Sequence, residues 1–111
     1  MGIVFRARDR ASGDAVAVKI IAGGHGWRTA RFEREIEVLA ELSHPGIVRH
    51  VAHGAMPSSE LFLVMEWLDG EDLKTRLARA ALTTREAIQL ATRVAEAIGA
   101  AHARGIVHRD L

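Results

Sequence analysis

Of the 15 basic residues in this 111-residue chain, only Lys19 and Lys74 are lysines, so each ammonium invites the question of what it serves. Lys19 lies in Ala15-Val16-Ala17-Val18-Lys19-Ile20-Ile21, a run that is apolar on both faces of a strand except at that one side chain. It can lay its stem along a sheet and raise its head into water, or it can stand in a cleft to meet an anion. Glu35 poses a matching question. On a helical projection it falls beside Phe32, Ile36 and Leu39, whereas Glu33, Glu37 and Glu41 fall on the opposite side. A carboxylate in an apolar stripe is costly unless paired. Lys19 on the preceding strand is its natural partner; the alternative places Glu35 at the margin of the stripe, beside Arg31. Near the C-terminus, His108-Arg109-Asp110 follows the apolar pair Ile106-Val107, and by itself reads as a charged surface loop.

These groups need elements to hold them. Ile3 to Ala7 and Ala15 to Ile21 are β-rich runs separated by the polar turn Arg10-Ala11-Ser12-Gly13-Asp14, which predicts a hairpin. Apolar residues at helical spacing predict a helix from about Thr29 to Leu42, stopped by Ser43-His44-Pro45-Gly46. Ile47 to Ala52 and Leu61 to Trp67 are strand candidates around the turn Met56-Pro57-Ser58-Ser59. A short helix is expected over Asp72 to Ala80 and a long one over Thr84 to Arg104, opened by Thr83 with Glu86 three residues on and closed by Gly105. On the long helix Ala87, Leu90, Ala91, Val94, Ala97, Ile98 and Ala101 form one apolar side, a stripe that calls for a packing partner. His102 at its edge reads as a packed core histidine. His50 and His53, three apart on a strand, should point to opposite faces and make a poor metal pair.

Taken in order, these pieces resemble the protein kinase family, and in particular the eukaryotic-like serine/threonine kinases of bacteria, over the whole chain. Met1-Gly2-Ile3-Val4 resembles the tail of the glycine-rich loop. Val16-Ala17-Val18-Lys19 resembles the V-A-I-K strand, and Arg31-Phe32-Glu33-Arg34-Glu35-Ile36 the helix whose glutamate pairs with that lysine. His44-Pro45-Gly46-Ile47-Val48 is similar to the family's next connection, Leu63-Val64-Met65-Glu66-Trp67-Leu68-Asp69-Gly70 to its interlobe hinge, and Gly105-Ile106-Val107-His108-Arg109-Asp110-Leu111 to the approach to its catalytic loop. The resemblance implies an α+β fold: residues 1–68 as part of an N-lobe, an antiparallel sheet plus one helix, and 69–111 as the first helices of a C-lobe. It implies ATP as cofactor and an unidentified protein as substrate. Lys19 would grip the α- and β-phosphates, Glu35 would hold Lys19, and Asp110 would orient the substrate hydroxyl. Gly2 would belong to the phosphate loop; Val4, Ala17 and the gatekeeper Met65 would line the adenine slot. Backbone groups of Glu66 and Leu68 would bond the adenine edge, and Asp72 would reach the ribose.

The departures from the family pattern matter equally. The two earlier glycines of the loop, the catalytic-loop asparagine and D-F-G do not occur in these residues, so the Mg2+ ligands of a full-length parent are missing and no metal ligand is assigned. The expectation is a fragment that cannot phosphorylate on its own, with an uncovered alanine stripe that favours aggregation. The competing readings are a pseudokinase-like module that binds nucleotide or a partner, and a small-molecule kinase of the same fold, against which Arg109 argues.

The composition fits these readings without selecting among them. At 49% hydrophobic and 26% charged, with net charge +1, the chain carries no polybasic signature of nucleic-acid or membrane binding. It has no apolar run long enough to span a bilayer and no signal-peptide pattern. Its lack of cysteine excludes disulfides and a cysteine nucleophile, and a cytoplasmic location is the expectation.

Overall fold

The computed structural model of the chain describes residues 2–23 and 26–107. Four strands, β1 (Gly2–Arg8), β2 (Ala15–Ile21), β3 (His50–Ala55) and β4 (Leu61–Glu66), form one antiparallel sheet in the order β1-β2-β4-β3. The helices are α1 (Trp27–Ala40), α2 (Leu73–Arg79) and α3 (Thr84–Ala103). The chain divides into two units. The first holds Met1–Ser43 and Ile47–Trp67; the second holds Leu68–Leu111 together with His44–Gly46.

In the first unit, the β1–β2 hairpin closes through Asp9. Its main-chain N–H donates to the carbonyl of Asp14 at 2.8 Å, and its Oδ1 accepts from the N–H of Ala11 at 2.8 Å. Gly13 takes φ +78°, a left-handed conformation that glycine adopts without steric cost. The β3–β4 turn closes with the Met56 N–H donating to the Glu60 carbonyl at 2.7 Å. Gly23 lies directly over this turn, where a Cβ would stand 1.8 Å from the Ser59 carbonyl oxygen, so no larger residue fits without moving one of the two backbones. α1 packs on β3, with Ile36 4% exposed. Val16 at 5% and Leu61 at 3% are buried from opposite faces of the sheet, as their positions in the pleat require.

Two elements are shifted by more than one residue from the sequence-based expectation. α1 starts two residues earlier, at Trp27, directly after Gly26. β3 runs from His50 to Ala55 rather than from Ile47 to Ala52: the turn begun at Pro45-Gly46 extends through Ile47, and pairing with β4 then carries the strand to the edge of the next turn.

In the second unit, both helix starts are capped by side chains. Asp72 Oδ1 accepts from the Thr75 N–H at 2.7 Å at the head of α2. At α3 the capping box is complete. Thr83 Oγ1 accepts from the Glu86 N–H at 3.1 Å, while Glu86 Oε2 accepts from the Thr83 N–H at 2.8 Å. α3 ends in a Schellman arrangement, with Gly105 at φ +78° donating to the His102 carbonyl and Ile106 donating to that of Ala101. Of its apolar stripe, Ala97 is the one buried residue, and it meets Gly46, where a Cβ would come within 3.0 Å of the Ala97 Cβ. That close approach ties His44–Gly46 to the helical unit. Ile88 remains 61% exposed. Among the described residues no helix is long and apolar enough to cross a membrane.

Candidate functional site

Strand pairing settles which side chains share a face. Lys19 stands opposite Val4 on β1 and Leu63 on β4; Ala17 stands opposite Arg6 and Met65. Directly opposed residues of an antiparallel pair project to the same side, and so do residues two apart on one strand. Val4, Ala17, Lys19 and Met65 therefore line one side of three adjacent strands. The Lys19 ammonium is set there among apolar side chains, and Arg6 shares the face in the row of Ala17 and Met65. Val4 is 55% exposed, so this apolar surface is open at its β1 edge. Such a surface is suited to a flat ring with an anionic tail, the ring lying on the apolar side chains and the anion at Lys19. Gly2 begins β1 opposite Ile21, at the same end of the sheet as Lys19.

Two polar features sharpen this region. The Arg6 guanidinium lies over the Trp67 ring at 5.1 Å from its centroid, a cation–π contact that joins β1 to the end of β4. Sequence reasoning did not find it; its signal is the register, which sets Arg6, Ala17 and Met65 in one row with Trp67 two residues further on. Glu66 clamps the approach to β3. Its Oε1 accepts from the Arg49 N–H at 2.8 Å, and its own N–H donates to the Arg49 carbonyl at 3.0 Å.

Glu35 departs from the pairing expected for it. Its Oε1 accepts from Arg31 Nε at 2.9 Å, the two side chains being 61% and 60% exposed, and Lys19 has no carboxylate within 4.0 Å among the described residues. The reason is proximity along the helix: Arg31 is one turn away on the same surface, so this pair needs no closure between elements.

The histidines overturn a second expectation. His50 Nε2 and His53 Nδ1 lie 2.9 Å apart, with ring centroids 5.0 Å apart. A β-bulge explains it. His50 faces Met65 and Ala52 faces Val64, leaving Val51 as an extra residue, so positions three apart act as if they were two apart and share a face. Burial, and then the neighbouring His53, lower the pKa of His50 below its usual 6.5.

Leu68 and Asp72 belong to the second unit, Leu68 at 61% exposure. Asp72 serves as the α2 cap, and the Thr75 N–H holds its pKa below the ordinary carboxylate value. Asp110, with His108 and Arg109, lies outside the described residues.

All of residues 1–111 match the protein kinase domain. The chain is 39% identical over 116 residues to a probable serine/threonine-protein kinase, PknB, of Lactococcus lactis, covering 100% of this chain and 18% of that protein. It is 34% identical over 114 residues to the serine/threonine-protein kinase PknJ of Mycobacterium tuberculosis, covering 100% of this chain and 19% of PknJ. The chain thus spans about a fifth of the length of these curated relatives. Among solved structures, it matches the Mycobacterium tuberculosis PknI kinase domain with a TM-score of 0.84 at 33% identity, over 100% of this chain and 47% of that one. It also matches Rad53 in complex with AMP-PNP, with a TM-score of 0.87 at 33% identity, over 99% of this chain and 29% of that one.

Proposed function

Because the chain belongs to the protein kinase family, we propose that the protein carrying it transfers the γ-phosphoryl group of ATP to serine or threonine hydroxyls of a protein substrate. The observation that carries this reading is the register that sets Val4, Ala17, Lys19 and Met65 on one face, three apolar side chains with the Lys19 ammonium among them. Adenine would lie on Val4, Ala17 and Met65, with main-chain groups of Glu66 and Leu68 at its edge and Asp72 toward the ribose. Lys19 would neutralise the α- and β-phosphates, next to the Gly2 end of the sheet. Asp110 would hold the substrate hydroxyl and take its proton as the oxygen–phosphorus bond forms and the bond to ADP breaks. These are positioning and electrostatic roles, which is what phosphoryl transfer asks of a protein.

Glu35 enters by exchanging partners. An exposed Arg31–Glu35 pair contributes only about 0.3–0.5 kcal/mol, so Lys19 can displace Arg31 once α1 brings the carboxylate to the sheet. In the family, magnesium, when bound, would supply neutralisation of the phosphate charge. The asparagine and D-F-G that would hold it are not among these residues, and the 111 residues alone are expected to be inactive. A second reading, a module that binds nucleotide or a partner without catalysis, draws on the observed Arg31–Glu35 pairing, which leaves Lys19 without its glutamate.

The test is transfer of labelled phosphate from Mg-ATP by a kinase domain that contains this sequence, beside the 111-residue chain. The longer protein should lose roughly 10²- to 10⁴-fold of its activity in Asp110→Asn, the range of a positioned base, and fall comparably in Lys19→Met. An undiminished rate in either variant would refute the assignment. Phosphotransfer by the 111-residue chain, lost in Asp110→Asn, would refute its expected inactivity.

A further inference from the structure

The kinase reading makes no use of His50 and His53. Both are half-buried on β3, on the sheet face that also carries Lys19, His53 being opposite Leu63, which is itself opposite Lys19. Their nearest ring nitrogens are 2.9 Å apart, one donating to the other as the pair now stands. Two imidazoles bound to one metal at about 2.0–2.1 Å span about 2.9 Å when they subtend a right angle and about 3.3 Å at the tetrahedral angle. The observed separation is a hydrogen-bond distance close to both values, with the two nitrogens facing each other and the ring centroids 5.0 Å apart.

The geometry points to a bidentate transition-metal site, with His50 Nε2 and His53 Nδ1 as ligands. Binding needs a tautomer change and a rotation of both rings, so that the proton now between them moves to an outer nitrogen and both lone pairs turn from each other toward the ion. The bulge at Val51 makes the site, since a regular strand would send the two rings to opposite faces. Among the described residues no cluster of three His, Cys, Asp or Glu side chains is placed to hold a metal, so water fills the other positions. A two-ligand site of this kind binds reversibly.

The experiment is a titration of the 111-residue chain with Ni2+, followed through the imidazole resonances of all six histidines, with Zn2+ affinity measured by calorimetry. At substoichiometric Ni2+ the signals of His50 and His53 should broaden together, before those of the other four. Calorimetry should show that His50→Gln and His53→Gln each weaken Zn2+ at least tenfold, the loss of chelation, while His102→Gln leaves it unchanged. Simultaneous broadening of any other histidine, or a loss smaller than tenfold in either pair variant, would overturn the proposal. The wild-type broadening decides the matter even where a variant fails to fold.

Discussion

Replacing Arg31 by glutamate should tighten nucleotide binding, although the residue is not among those of the proposed nucleotide site. In the structure Arg31 holds Glu35 at 2.9 Å, with both side chains about three-fifths exposed, so the pair operates in a high dielectric. Removing it costs about 0.3–0.5 kcal/mol, and a like charge one turn away adds repulsion of similar size. Arg31→Glu therefore shifts Glu35 away from its local partner, and toward Lys19, by about 0.6–1.0 kcal/mol. If the Lys19–Glu35 form binds phosphates and is the minor one, apparent affinity scales with its population, and the dissociation constant should drop about three- to fivefold. Fluorescence titration with a labelled ATP analogue at low ionic strength measures this. In a Glu35→Gln background the gain should vanish, because the competition for that carboxylate is gone. No gain in Arg31→Glu, or an equal gain in the Glu35→Gln background, would refute the partner exchange.

Further predictions concern the scaffold. Thr83→Ala removes one half of the α3 capping box and should cost about 1 kcal/mol, read as a lower Tm of the helical unit. The Thr83 N–H, and more weakly Arg76, hold the Glu86 pKa below its ordinary 4.5. The stabilisation from this group is thus present above pH 4.5 and is lost as pH falls through the lower folded value; acid unfolding monitored in wild type and Glu86→Gln should show a shallower dependence in the variant. Gly54→Ala places a Cβ 2.9 Å from the Phe62 ring and should destabilise the sheet, and Phe62→Leu should relieve part of that loss in a double-mutant cycle.

Much of the scaffold was readable from residue types. Thr83 and Glu86 announce a cap, Gly105 a helix end, and the alternation in β2 sets Ala17 and Lys19 on one face. These signals are local, and a local signal survives whatever the rest of the chain does. The misses share a physical origin. A helical projection places Glu35 near the apolar side, but it does not weigh an arginine one turn away against a lysine on another element. Strict alternation separates His50 from His53, because a bulge is a property of two paired strands and only one of them is visible in the run itself. The Arg6–Trp67 contact depends on register across β1, β2 and β4, which no single segment encodes.

The presence of only two lysines gives the central claim a direct measurement. An acyl-phosphate derivative of ATP transfers its acyl group to an amine held beside the phosphates, and mass spectrometry of the 111-residue chain then reads Lys19 against Lys74. A nucleotide site on the Val4–Ala17–Met65 face predicts that Lys19 is acylated far more than Lys74, and that excess unlabelled ATP suppresses Lys19 alone. Equal labelling of the two lysines, or labelling of Lys19 that ATP does not suppress, would contradict it.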